Sequence, residues 1–191
     1  GMTLRAIAPE TDLYAEDRRS ITEAIDFAAR ALPPLRRRLR NNEHDVVVAS
    51  VFPYFPVLST KLASVRTDTP LVTTWHEVWG DYWEEYLGRL APFGKVTERV
   101  TARTPQCATA ISGVTADRLA AIGPDRDDIE IIPNGIDVDQ IRTAPLPGKG
   151  YDVLFAGRLI EHKNVDLLLE AFDRVAADTG ATLGIVGDGP E

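Results

Sequence analysis

Two cations flank one junction of the chain. In "FAGRLIEHKN", residues 155–164, an apolar run ends at a glycine followed by Arg158, and Lys163 stands just before an apolar-periodic stretch. With the run as a buried strand and the stretch as a helix, both side chains lie beyond the carboxyl end of a strand. Ligands of open parallel sheets collect there, and helix N-termini present unpaired N–H groups to anions. A planar guanidinium grips two phosphate oxygens at once, while an ammonium supplies a mobile point charge. The chemistry that fits is capture of a diphosphate. One such contact near 4 Å is worth roughly 4 kcal/mol at a surface-like effective dielectric, less with screening. Were the diphosphate a leaving group, the same charges would meet the negative charge that grows in the transition state. Solvated loop cations, or cations in structural ion pairs, produce the same spacing, so spacing alone leaves both readings open.

A second group of residues surrounds His76, which follows the apolar run "PLVTT" and so belongs to the same carboxyl-end face of a sheet. Either it takes part in a site or it is a histidine hydrogen-bonded to a neighbouring loop. Glu77 can accept a hydrogen bond from a hydroxyl-rich ligand or cap the following turn. Trp75, Trp79, Tyr82, Trp83 and Tyr86 crowd one short segment, and the four-residue spacing of Trp79 and Trp83 would place them on one helical face. Aromatic faces suit sugar rings and apolar tails, and they equally suit plain core packing.

The elements that must position these groups follow from the hydrophobic pattern. Short runs continuous in valine, isoleucine and leucine mark strands near Leu4–Ala8, Asp45–Ser50, Leu71–Thr74, Gln106–Ile111, Ile129–Ile132, Asp152–Ala156 and Thr182–Val186, buried on both faces. Helical patterns fall between them at Ser20–Ala31, with Ser20 and Glu23 at capping-box spacing, and at Leu35–Arg40, Tyr54–Val65, Tyr82–Ala102, Val114–Ile122 and Asn164–Asp178. Such alternation predicts an α/β fold of Rossmann-like parallel sheets with crossover helices. The tract "TAPLPGKG", 143–150, is the expected linker between a first domain, 1–142, and the beginning of a second, 151–191, that amounts to one β-α-β unit.

Composition narrows the classes. The 191 residues are 44% apolar and 26% charged, as expected of a folded globular chain. A formal net charge of -8 argues against a nucleic-acid partner, since proteins that neutralise phosphate backbones carry basic surfaces. Cys107 is the single cysteine, which excludes a disulfide framework and fits a reducing compartment. With no apolar run long enough to span a bilayer and no signal peptide visible, the expected location is the cytoplasm. The basic run "RRRLR", Arg36–Arg40, with Leu35 and Leu39 four apart, raises the question of docking on anionic lipid, against which the net charge weighs.

"IIPNGIDVDQ" at 131–140, "VLFAGRLIEHKNVDLLLEAF" at 153–172 and "LGIVGDGPE" at 183–191 resemble, in order and spacing, the signature blocks of family 4 glycosyltransferases of the GT-B fold. Upstream, "HDVVVASVF", "TPLVTTWHEVW" and "ATAISGVTADRL" resemble strands of that family's N-terminal domain. The resemblance implies an enzyme that transfers a sugar from a nucleotide-diphosphate sugar to an acceptor hydroxyl with retention of anomeric configuration. It gives Arg158 and Lys163 the donor diphosphate and makes a metal or other cofactor unnecessary. It places His76 near the sugar and acceptor, where it would position a hydroxyl or assist proton movement, the leaving diphosphate being the usual base. Glu77 and Trp79 become further acceptor-side candidates, and Gly135, Gly187 and Gly189 donor-side ones. Partners are then the donor and a glycan, lipid or small-molecule acceptor.

Within "PNGID", Asn134 and Gly135 carry a turn signal of the kind required where the backbone takes positive φ. "DVD", Asp137–Asp139, imitates a metal-binding D-x-D, but Asp137 is better read as the N-cap of a short helix. The sequence departs from the family pattern in lacking an early glycine-rich loop and the paired-glutamate segment expected beyond Glu191, so a chain truncated at both ends is expected. A noncatalytic remnant that binds nucleotide sugar or a partner chain, its sheet edges covered by homo-oligomerisation, is the competing reading. A nucleotide-sugar epimerase of the same fold is a third.

Overall fold

The structure is a computed structural model that describes residues 3–7, 14–15, 18–19, 21–41, 43–145, 148 and 150–191. It divides into two compact units, Gly1–Gly135 and Ile136–Glu191. The division falls ahead of the proline- and glycine-rich tract at 143–150, because the short helix that leads into that tract groups with the second unit. Leu146, Pro147 and Lys149 of the tract lie outside the described residues.

In the first unit, β1 (Tyr14–Ala15) pairs antiparallel with β2 (Arg18–Arg19). The helix α1 (Ile21–Arg40) then leads into β3 (Val47–Ser50), α2 (Phe55–Ser64) and β4 (Leu71–Trp75). Next come α3 (Tyr82–Leu87), α4 (Ala91–Arg103), β5 (Cys107–Ala110), α5 (Gly113–Ala120) and β6 (Ile129–Ile131). The four strands β3 to β6 form one parallel sheet in sequence order, with Ser50 opposite Thr74 and Trp75 opposite Ala110. Consecutive parallel strands joined by right-handed crossovers place their helices on one face. Burial agrees with that geometry. Leu71, Thr73 and Trp75 of β4 are buried, whereas Val48 of β3 is 63% exposed. The expectation of strands buried on both faces therefore fails at β3, because among the described residues no second helical layer covers its outer face.

Three local expectations are corrected. Residues 3–7 form no strand, and Leu4 is exposed, since no strand pairs with this segment among the described residues; Ala8 and the expected cap Ser20 lie outside them. The two expected helices at 20–31 and 35–40 are one continuous helix that carries Pro33 and Pro34 in its interior. Ala28 and Leu39 are buried on either side of the proline pair, and their separation is about three helical turns, so one packed face spans the defect and outweighs the propensity loss. Conversely, the single helix expected over 82–102 is broken at Gly88, whose φ of 54° ends α3 before a short 3-10 turn and the proline-led start of α4.

The second unit holds α6 (Val138–Thr143), β7 (Val153–Ala156), α7 (Val165–Thr179) and β8 (Leu183–Val186), with β7 and β8 parallel. One helix can cover only one face of a two-stranded sheet, and Leu154 and Val186 are accordingly exposed.

Candidate functional site

In the second unit the ladder between β7 and β8 does not stop at the strand ends. Gly157 N–H donates to Val186 O at 2.9 Å, and Leu159 N–H donates to Asp188 O at 3.0 Å. Arg158 thus stands between two ladder bonds, exposed, just past the carboxyl end of β7. Lys163 is exposed at the end of a 3-10 turn, Glu161–Lys163, closed by its own N–H to Ile160 O at 2.9 Å. Asn164, with φ 50° and ψ 46°, turns the chain through the left-handed region into α7.

Gly187 and Gly189 have a packing reason to be glycine. A Cβ on Gly187 would lie 1.8 Å from Gly157 O, and one on Gly189 would lie 2.0 Å from Leu159 O. The loops that follow the two strands are therefore pressed together, and Arg158 is held against the segment that bears both glycines. Gly135 differs: a Cβ there would meet nothing within 4 Å. Neither Asn134 nor Gly135 has positive φ, so the left-handed conformation expected of that turn is not adopted. Asp137 is the N-cap of α6, its carboxylate accepting from Gln140 N–H at 2.8 Å.

In the first unit His76 and Glu77 are exposed immediately after β4, and with Ser50, Val51 and Phe52 they line an open recess of about 400 Å³ at the carboxyl ends of β3 and β4. Thr115 Oγ1 donates to His76 O at 3.4 Å, tying the loop to the start of α5. Trp79 is half-buried beside Phe52, with ring centroids 4.4 Å apart, and touches Trp83 at 4.7 Å and Tyr86 at 4.8 Å. Trp75 is core: fully buried, its indole N–H donates to Thr73 Oγ1 at 3.1 Å and Gln106 Oε1 at 3.2 Å.

What holds the His76 loop is a residue that the sequence reading passed over. Glu98 of α4 is 2% exposed, and its carboxylate accepts from Tyr54 O–H at 2.7 Å, Trp79 N–H at 2.7 Å and Gly80 N–H at 3.1 Å. Burial pushes the Tyr54 phenol well above its ordinary range, with the charge and hydrogen bond of Glu98 and the charge of Glu77 adding to the effect. Glu98 therefore joins the segment after β3 to the loop after β4. A signal was available, because Ala91, Gly94, Glu98, Thr101 and Ala102 share the buried face of α4, and a carboxylate within a small-residue face needs donors. In the basic run Leu39 is buried, Arg36 donates to Leu62 O at 3.1 Å and Arg38 pairs with Glu43 at 3.4 Å, while Arg37 and Arg40 are exposed.

A family model described as Glycosyltransferase Family 4 matches residues 8–140, and one described as Glycosyl transferases group 1 matches residues 138–191. The chain belongs to glycosyltransferase family 4. Solved structures with the same fold include Anabaena HepE in complex with UDP, at TM-score 0.60 and 18% identity over 82% of this chain and 44% of that one. The lipopolysaccharide outer core galactosyltransferase WaaB in its apo form aligns at TM-score 0.54 and 18% identity, over 89% of this chain and 44% of its own. The match of this family 4 chain thus spans less than half the length of each of these two structures. No curated protein matches it. Among the described residues no helix is long and apolar enough to cross a membrane.

Proposed function

We propose that this chain carries the donor-diphosphate grip and the acceptor-side recess of a glycosyltransferase that moves a sugar from a nucleotide-diphosphate sugar to an acceptor hydroxyl with retention. The observation that carries the reading is the position of Arg158, fixed between two ladder bonds at the carboxyl end of β7 and exposed to solvent. Its guanidinium offers paired donors to the diphosphate, and Lys163 supplies the second charge. As the bond from sugar to phosphate breaks, negative charge collects on the departing phosphate, and fixed cations stabilise that charge more than the ground state. In this reading the two side chains do what a divalent ion does in other transferases. His76 and Glu77 border the recess that receives the acceptor, with His76 orienting the hydroxyl. Because HepE was crystallised with UDP, UDP is the first donor nucleotide to test.

The test is a thermal-shift titration of the 191-residue chain with UDP, GDP and ADP. A nucleotide held at a hundredfold excess over its Kd adds about 2.7 kcal/mol of stability. The melting temperature should rise with at least one nucleotide, and Arg158→Ala should abolish the rise. No shift with any of the three at millimolar concentration would refute donor binding by this chain.

A further inference from the structure

The two walls of the His76 recess come from different segments, with Ser50, Val51 and Phe52 at the end of β3 and His76 and Glu77 after β4. The sheet ladder joins these segments as far as Val51, whose N–H donates to Thr74 O at 3.0 Å. Beyond the ladder each wall keeps its place only through other bonds. Thr115 Oγ1 reaches His76 O at 3.4 Å, which is long for such a bond. Lys95 of α4 pairs with Asp81 and Glu84 at 2.8 Å each, but both carboxylates are exposed, and exposed ion pairs contribute little.

Glu98 bonds to both segments at once. Tyr54, whose O–H it accepts at 2.7 Å, is two residues beyond Phe52, and Trp79 and Gly80, whose N–H groups it accepts at 2.7 Å and 3.1 Å, are two and three beyond Glu77. Gly80 has φ 54° and open space where a Cβ would be, so its glycine serves the backbone turn that brings this amide to the carboxylate. Phe52, its ring 4.4 Å from that of Trp79, holds φ at 80°. A bulky residue in that region is strained and persists only where the surroundings enforce it, a condition that clusters at functional sites. Glu98 itself lines no part of the recess. A buried carboxylate is also a costly way to gain stability alone, since apolar packing of similar volume commonly does as well.

We propose that the recess is preformed without ligand and that Glu98 is its positioning residue. Through Tyr54 on one side and the Trp79 and Gly80 amides on the other, its carboxylate sets where His76 and Glu77 stand relative to Ser50 and Phe52. Sites lose function when their support lets the working groups drift by about 1 Å, so such a residue acts without touching the ligand. That the fixed His76 then serves sugar transfer rests on the function proposed above, whereas the ordering of the recess does not.

The test is nitrogen-15 relaxation of the whole chain without nucleotide, which gives an order parameter for each amide: about 0.85 for rigid backbone and below about 0.6 for flexible. In the wild type His76, Glu77, Trp79 and Gly80 should all lie near the rigid value. Flexible values there would overturn the proposal whatever the variants do. Glu98→Met, which keeps the volume and removes all three bonds, should take His76 and Glu77 below about 0.6 while Val72 and Thr73 of β4 stay rigid. Glu98→Gln, which keeps one acceptor oxygen, should fall between. The control is Ile129→Ala, a cavity substitution in β6, two strands away from β4. It lowers stability as well, yet the native loop should keep its wild-type order parameters. Unchanged values at His76 and Glu77 in the folded Glu98 variants, or an equal fall in Ile129→Ala, would overturn the assignment. Because no nucleotide is present, either result is distinct from failure of the UDP titration.

Discussion

Replacing Glu98 by glutamine tests whether the buried carboxylate organises the first unit. Its two oxygens accept three hydrogen bonds, from Tyr54 O–H, Trp79 N–H and Gly80 N–H. Hydrogen bonds to a charged acceptor contribute about 1.5–3 kcal/mol each. Glutamine keeps one acceptor oxygen, which can serve Tyr54 and Trp79 as Oε1 does now, but its amide group then faces the N–H of Gly80. One bond is lost, a donor meets a donor, and the remaining two lose charge assistance, for a total of about 2–4 kcal/mol. For a domain of this size the melting temperature should fall on the order of 10 °C. Tyr54→Phe removes a single bond and leaves the carboxylate two backbone donors, so its loss should be at most about half as large. Thermal unfolding followed by tryptophan fluorescence reads both variants, since Trp79 and Trp83 lie at the affected loop. A Glu98→Gln melting temperature within about 2 °C of wild type, or a Tyr54→Phe loss as large as that of Glu98→Gln, would refute the reasoning.

Further expectations follow from the same geometry. Gly187→Ala, whose Cβ would fall 1.8 Å from Gly157 O, should destabilise the second unit by about 1–3 kcal/mol in urea denaturation. Gly135→Ala, with nothing within 4 Å, should stay within about 0.5 kcal/mol of wild type. Gly94→Ala would place a Cβ 2.3 Å from Cε3 of Trp83 and should shift the tryptophan emission as that ring is displaced. The hydroxyl and N–H of Thr182 both donate to Asp152 at 2.8 Å and hold its carboxyl below the usual range. A depressed folded value means that the contribution is complete above the unfolded value and is lost as pH falls through the folded one. The Asp152 carboxyl resonance should therefore titrate below the range of an ordinary aspartate, and Asp152→Asn should remove that part of the acid dependence.

The parts of this molecule that sequence made legible depend on near neighbours along the chain. Valine-rich runs bounded by turns located the strands β3 to β8, and Asp137 three residues ahead of Gln140 announced its cap. The glycine that precedes Arg158 likewise placed that side chain at a strand end. What escaped depends on distant partners. Pro33 and Pro34 read as a helix end, because the packed face that carries α1 across them is assembled only in three dimensions. Glu98 finds its donors 19 and 44 residues away, at Trp79 and Tyr54, so nothing beside it along the chain marks its role.

The rungs on either side of Arg158 bear on how an anion would be captured. The main chain on either side of it is already held in the ladder, so an arriving anion orders side-chain torsions and not backbone. At Arg158 itself, no rearrangement of the main chain is needed before an anion is held. The strength of capture would then be adjusted by exchanging the side chain itself, while the neighbouring glycines, locked by main-chain proximity, stay fixed.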